Sequence, residues 1–96
     1  PRVLVTNGRS KTHTVIEVNG ADRPGLLYQI TYHLLQLGLQ VNSATVSTYG
    51  EKAVDVFYVK DVYGLQIERP ATQEKIKQDL LSIFDEDAVK TSGSGR

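Results

Sequence analysis

A glycine- and proline-rich hexapeptide, Gly20-Ala21-Asp22-Arg23-Pro24-Gly25, separates two different patterns in the first half of the chain. Before it, Thr14 to Val18 alternates in the manner of a β-strand. After it, apolar residues recur at helical spacing up to Gly38, a residue type that commonly ends helices; they are Leu27, Ile30, Leu34 and Leu37. We therefore predict a strand and a helix joined by a short loop that leaves backbone N–H groups exposed at the helix start.

The second half of the chain repeats the change from strand to helix. Val41 to Tyr49 and Lys52 to Lys60 are strand-like runs separated by Gly50-Glu51, which predicts a hairpin. Pro70 suits the first position of a second helix, with Thr72 as a competing cap. The apolar residues of that helix would be Ile76, Leu80, Ile83 and Phe84.

Two segments compete to supply a fourth strand. One is Ala88 to Thr91, after the second helix, and the other is Val3 to Val5, followed by the turn-forming dipeptide Asn7-Gly8. The order of elements favours the α+β class, a ferredoxin-like βαββαβ sandwich with an antiparallel sheet and two helices on one face. We place an N-terminal arm and potential edge strand at 1–12, the folded domain at 13–91 and a flexible tail at 92–96.

The strand from Lys52 to Lys60 is apolar on both of its faces. One face carries Val54, Val56 and Tyr58, and the other carries Ala53, Asp55, Phe57 and Val59. Helices on one side of a sheet leave the other side bare, and a bare face is normally polar. We therefore expect a further layer over it, most simply a partner domain.

Charge and composition exclude several functional classes. Eleven Lys and Arg residues balance eleven Asp and Glu residues, so no positive field exists to hold nucleic acid or an anionic membrane. Without cysteine, and with two histidines that have no second ligand at a suitable spacing, we expect neither a metal nor another cofactor. A start at Pro1 and a Gly/Ser-rich end predict a module cut from a longer protein. Because the sequence has neither a long apolar run nor a signal peptide, we expect a soluble module and place it in the cytoplasm.

The loop before the first helix has the features of a binding site for an amino acid. Gly25 lets a ligand approach the backbone, and the N–H groups of Gly25, Leu26 and Leu27 would point outward from the helix start. A carboxylate there gains about 1 kcal/mol from the helix dipole. Asp22 would place a negative charge beside it for an ammonium group, although Asp22 could instead merely cap the helix.

Three further polar residues lie on strands. The amides of Gln40 and Asn42 could bind a ligand that is itself an amide, because an amide both donates and accepts, or they could simply be solvated. Asp55 alternates with Phe57 and Val59, so we expect an inward-facing carboxylate with a structural partner such as Lys52 or a backbone turn.

Several segments together resemble the ACT domain family, over about residues 13–86. They are Asp22-Arg23-Pro24-Gly25-Leu26-Leu27-Tyr28, Leu37-Gly38-Leu39, the run from Gly50 to Asp61, and Tyr63-Gly64-Leu65. The run from Gly50 to Val59 is similar to the C-terminal ACT domains of bacterial enzymes that uridylylate and deuridylylate the PII signalling protein. Plant ACT-repeat proteins share part of it.

The resemblance implies a βαββαβ domain that pairs with a second ACT domain, in a homodimer or as a tandem neighbour, and binds an effector near the shared interface. It implies glutamine as the effector, and PII as a partner only through catalytic domains that this chain lacks. The chain would thus sense and not catalyse. The positions that match the family's ligand loop and facing strand are Asp22, Gly25, Leu26, Gln40, Val41 and Asn42, with Gln40 standing where relatives commonly have Asp or Asn.

Two alternatives to a glutamine sensor remain open. The domain could be a ligand-free dimerisation or interaction module. It could also be a small βαββαβ phosphatase that uses Arg23 and Asn42, although Pro24 removes a backbone donor that a phosphate cradle needs.

Overall fold

The computed structural model describes the backbone of residues 1–93 and the side chains of residues 1–85. Four strands form one antiparallel sheet in the order β1-β2-β4-β3. The strands are β1 (Arg2–Thr6), β2 (Thr14–Ala21), β3 (Gln40–Tyr49) and β4 (Lys52–Lys60), and the helices are α1 (Leu26–Gln36) and α2 (Pro70–Gly93). The predicted ferredoxin-like α+β class is confirmed.

The fourth strand comes from the front of the chain. β1 pairs with β2 so that Val3 lies opposite Val18, and it thereby occupies the edge of the sheet next to β2. The strand predicted at Ala88 to Thr91 is wrong, because those residues lie within α2 and the edge is already taken. Of the tail predicted at 92–96, two residues fall within the bounds of α2 and residues 94–96 lie outside the described part of the chain.

The helix ends follow the glycine and proline signals. Gly38 adopts φ +80° after α1, and the N–H of Leu39 donates to the Leu34 carbonyl at 3.1 Å while that of Gly38 donates to Leu35 at 3.0 Å. This pair of bonds satisfies carbonyls that the last helical turn would otherwise leave without partners. Pro70 is the first residue of α2, as its fixed φ predicts.

A single apolar core lies between one face of the sheet and both helices. Sheet residues that share this face, such as Ile16 and Phe57, stand opposite each other in register and are fully buried. The core comprises Val3, Ile16, Val18, Ala53, Phe57 and Val59 from the sheet, Leu26, Ile30, Leu34, Ile76, Leu80 and Ile83 from the helices, and Leu39 and Ile67 from the connections. Both helices therefore pack on one side, as predicted.

A buried polar group ties the β1–β2 connection to the segment before α2. The hydroxyl of Thr14 donates to Asn7 Oδ1 at 2.6 Å and accepts the N–H of Ile67 at 2.8 Å. The Asn7 amide in turn donates to the Ile67 carbonyl at 2.9 Å. Asn7-Gly8 thus begins a longer connection spanning residues 7–13, in place of the predicted tight turn.

Within residues 1–93, no helix lies over the other face of the sheet. Val54, Val56 and Tyr58 are half-buried there, and the covering layer expected above them stays a prediction. The same face holds Glu17, whose carboxylate accepts hydrogen bonds from Asn19 at 3.0 Å and Arg9 at 3.1 Å. These bonds lower the pKa of Glu17 below its ordinary value.

A substitution at Gly20 would test how closely α2 packs on the sheet. A Cβ atom at Gly20 would lie 2.5 Å from Cε1 of Phe84, too close for the ring to stay in place. We expect Gly20→Ala to lower the free energy of unfolding in urea by about 1–3 kcal/mol through overpacking. Gly8→Ala is the control, because its Cβ would make only an ordinary 3.6 Å contact with Thr6. A Phe84→Leu change should recover part of the loss, and equal losses with and without it would contradict this packing.

Candidate functional site

The predicted ligand loop forms an open turn at the start of α1. Gly25 is the N-cap residue with φ +82°, and a Cβ there would meet nothing within 4 Å. α1 has no side-chain cap, so Asp22 does not cap the helix. Asp22 is instead exposed, and its backbone N–H donates to the Glu51 carbonyl at 2.8 Å. The turn therefore presents backbone and one carboxyl group to open space.

Leu26 differs from its predicted role as an outward-pointing donor. Its side chain is 2% exposed and belongs to the core, and its N–H donates to the Arg23 carbonyl at 3.2 Å. This bond closes the turn that leads into α1. The Arg23 guanidinium donates to Gln29 Oε1 and to the Pro24 carbonyl, so it is engaged with the start of α1 itself.

Gln40, Val41 and Asn42 begin β3 in three different environments. The Gln40 amide donates to the carbonyls of Asp61 at 3.0 Å and Val62 at 3.4 Å. Val41 is half-buried, whereas Asn42 is exposed. Asn42 is the extra residue of a β-bulge, because the register shifts between Val41 and Ser43. Gln40 and Asn42 are thus both exposed, but the Gln40 amide is engaged with the chain's own carbonyls.

These two groups of residues lie at opposite ends of the sheet. Ala21, next to the ligand loop, pairs with Lys52, whereas Gln40 pairs with Lys60 at the other end of β4. At about 3.3 Å per residue, the two ends are roughly 26 Å apart. One copy of the chain therefore does not bring the six predicted residues together.

Two open clefts, of about 680 and 670 Å³, occur on the described surface, and neither is lined by any of the six predicted residues. The first lies at the Gln40 end and includes the cations Lys11, Lys60 and Arg69. Sequence reasoning did not group these cations, because they come from three separate segments. No cluster of His, Cys, Asp and Glu suited to a metal ion is found among the described residues. No helix in that part of the chain is long and apolar enough to cross a membrane.

Asp55 is a buried carboxyl group at the same end of the sheet as the ligand loop. It is 2% exposed, and its Oδ1 atom has no hydrogen-bond partner in the part of the chain that the structure describes. Burial raises the pKa of Asp55 above its ordinary 3.8, and the charge of Asp22 raises it further. The predicted partner Lys52 is wrong, because residues 52 and 55 point to opposite faces of β4. The sequence signal was a carboxyl group within an apolar stripe.

Comparison with known proteins identifies the family. A model described as the ACR family N-terminal ACT domain matches residues 9–87. The chain belongs to the ACT domain family. The chain is also similar in sequence to part of the bifunctional uridylyltransferase/uridylyl-removing enzyme of Azospirillum brasilense. The two are 60% identical over 81 residues, which cover 84% of this chain and 9% of that protein.

Other curated relatives carry the same name. The enzyme from Rhodospirillum rubrum is 56% identical over 83% of this ACT domain and 8% of its own length. That from Gluconobacter oxydans is 47% identical over 98% of this chain and 10% of its own length. The chain thus spans about a tenth of the length of these relatives and is an ACT regulatory domain homologous to a segment of such enzymes. No solved structure matches the chain.

The buried carboxyl of Asp55 should make the stability of the ACT domain depend on pH. Folding raises its pKa, so ionisation opposes folding, and this destabilisation grows as the pH rises from about 4 through the raised pKa. At pH 8 we expect the free energy of unfolding of Asp55→Asn to be higher than that of the wild type by on the order of 1 kcal/mol. The gain should vanish near pH 3.

Urea unfolding of both proteins at pH 3, 5 and 8 measures this difference. Asp85→Asn, at an exposed position, is the control. The lowered pKa of Glu17 has the opposite effect on the pH dependence, because it contributes stability that is lost at acid pH. This contribution is the same in both proteins and cancels in the comparison. A gain that stays constant with pH would contradict the assignment to Asp55.

Proposed function

We propose that this ACT domain is a cytoplasmic glutamine sensor, which through the catalytic domains of a longer enzyme controls uridylylation and deuridylylation of the PII signalling protein. The observation that carries the proposal is the open turn at Gly25 beside the exposed carboxyl of Asp22. The names of its relatives support the regulated activity. The domain itself senses and does not catalyse.

This turn offers a partner for each of the two charged groups of a free amino acid, namely the N–H groups at the start of α1 and the carboxyl group of Asp22. The first turn of an α-helix leaves N–H groups without intrahelical partners, and a carboxylate there is stabilised by these donors and by the helix dipole. Asp22 supplies the opposite charge for an ammonium group. Because a Cβ at Gly25 would project into open space, the approach to the backbone is unobstructed.

A second copy of the domain would complete the site. β3 is an edge strand on which Val46 is 51% and Tyr49 68% exposed, and the adjacent helix α1 exposes Tyr28, Tyr32 and Leu35 at helical spacing. If two β3 strands pair about a two-fold axis, they run antiparallel. The end of β3 that carries Asn42 in one copy then lies beside the end of the sheet that is next to Asp22 in the other copy. Residues that lie roughly 26 Å apart within one copy would thus meet across the pair.

Regulation would follow if glutamine binding were thermodynamically linked to the arrangement of the paired domains. Glutamine that binds one arrangement of the paired domains better than another shifts the population towards it. A difference of about 1–3 kcal/mol is sufficient for 5- to 150-fold control of an attached activity. A reversible metabolite sensor of this kind would have a Kd of about 1 mM.

Substitutions in the turn test the ligand site. We expect Asp22→Ala to weaken glutamine binding about 10-fold, because the ammonium loses its partner, and Gly25→Ala to weaken it at least as much, because a methyl group occupies the approach path. Isothermal titration calorimetry measures both. Gly64→Ala is the matched control, since Gly64 has a similar φ of +79° with nothing within 4 Å and lies away from the turn. Unchanged affinity in both loop variants would exclude this turn as the site.

A ligand-free interaction module is the second candidate. Two observations favour it: the Gln40 amide is already engaged with the chain's own carbonyls, and neither cleft described above is lined by Asp22 or Gly25. In that case the exposed β3 and α1 surface would pair without regard to any amino acid.

Val46→Glu distinguishes the two candidates. We expect it to convert a dimer into a monomer, because it places a charge on the exposed apolar edge, and to weaken glutamine binding at least 10-fold. Mass by light scattering, with and without glutamine, and calorimetry are the measurements. Val62→Glu is the control at a valine that is 62% exposed and outside this surface. A wild-type dimer that binds no glutamine would favour the interaction module.

A further inference from the structure

Asp55 lies beside an uncovered strip between α1 and β3. It stands opposite Val46 in the β3–β4 register, so their side chains share one face of the sheet with Cβ atoms about 5 Å apart. Val46 is 51% exposed, whereas Val18, on the other side of Asp55, is 1% exposed. A buried oxygen without a partner thus borders a surface that a ligand or a second copy can reach.

Asp55 also belongs to the same end of the sheet as the proposed effector turn. The Asp22 N–H donates to the Glu51 carbonyl, and β4 begins at the next residue, Lys52. Asp55 is three residues further along, or roughly 10 Å. The charge of Asp22 acts on the carboxyl of Asp55, so the two groups are electrostatic neighbours. Asp22 and Asp55 therefore lie at the same end of the sheet, where the chain enters α1.

We propose that Asp55 binds the side-chain carboxamide of the effector, while Asp22 binds its ammonium group and the first turn of α1 its carboxylate. This inference rests on the glutamine site proposed above. It assigns specificity to a residue on β4, in addition to the loop and strand positions predicted from the sequence. It also accounts for a buried oxygen that otherwise lacks any hydrogen bond, an arrangement that folding alone disfavours.

The chemistry of the two groups matches. The Oδ1 atom of Asp55, which has no hydrogen-bond partner among the described residues, can accept an N–H from the carboxamide nitrogen. Glutamate would instead bring a second acceptor, its side-chain carboxylate, against this oxygen at a position shielded from water, where no hydrogen bond would compensate the charge. Asp55 would thereby select glutamine over glutamate.

Two substitutions at Asp55 test this assignment by calorimetric titration with glutamine and with glutamate. Asp55→Asn keeps an oxygen that accepts the carboxamide N–H, so glutamine affinity should stay within about 3-fold of the wild type. Because its NH₂ group can donate to a carboxylate, the preference for glutamine over glutamate should fall at least 10-fold. Asp55→Val has a similar size but no acceptor, so glutamine affinity should fall at least 10-fold. Circular dichroism and urea unfolding confirm that each variant is folded.

The outcomes separate this inference from the proposed function. If Asp55→Val binds glutamine like the wild type while Asp22→Ala does not, the effector turn stands and the role of Asp55 is overturned. If Asp55→Asn loses affinity as severely as Asp55→Val, the carboxyl group binds a cation and not a carboxamide, which also overturns it. If Asp55→Val fails to fold, an unchanged preference for glutamine in Asp55→Asn is enough to reject the assignment. A wild-type domain that binds no glutamine would contradict the proposed function itself.

Discussion

The antiparallel pairing of β2 with β4 determines where every functional group of this domain lies. Eight residue pairs in continuous register, from Thr14 with Val59 to Ala21 with Lys52, hold the two central strands together. The register sets Ile16 against Phe57 in the core and places the loop after β2 beside the β3–β4 turn. It also places the start of β3 at the far end. A site that uses both the loop and the start of β3 must therefore draw on a second domain as well.

Local signals in the sequence predicted most of the fold. Gly38 and Pro70 have strong backbone preferences, and they mark the end of α1 and the start of α2 as expected. The edge strand was left open, because a short β-branched run such as Val3 to Val5 carries no information about which strand it will join. That choice depends on long-range pairing with β2.

The site was predictable by residue type but not by arrangement. The open turn at Gly25 follows from its glycine and its place before a helix, and the structure shows it. The use of the Leu26 N–H by Arg23, and of the Gln40 amide by Asp61, depends on turns that close only in the folded chain. Asp55 was visible as a carboxyl in an apolar stripe. Its lack of a partner among the described residues depends on which donors the rest of the fold brings to it, and a strand pattern does not specify these.

The hydrogen bond from Asp22 to Glu51 gives the proposed sensor a short physical path from ligand to interface. Glu51 belongs to the turn between β3 and β4, and Gly50 in that turn adopts φ +62°. The turn directly follows β3, the edge strand with the exposed Val46. Ligand contacts at Asp22 therefore act on the loop that is bonded to the end of the pairing edge. Since Asp55 faces Val46 across the same hairpin, a ligand that reaches it adds a second contact to that edge, and binding and pairing become linked through one hairpin.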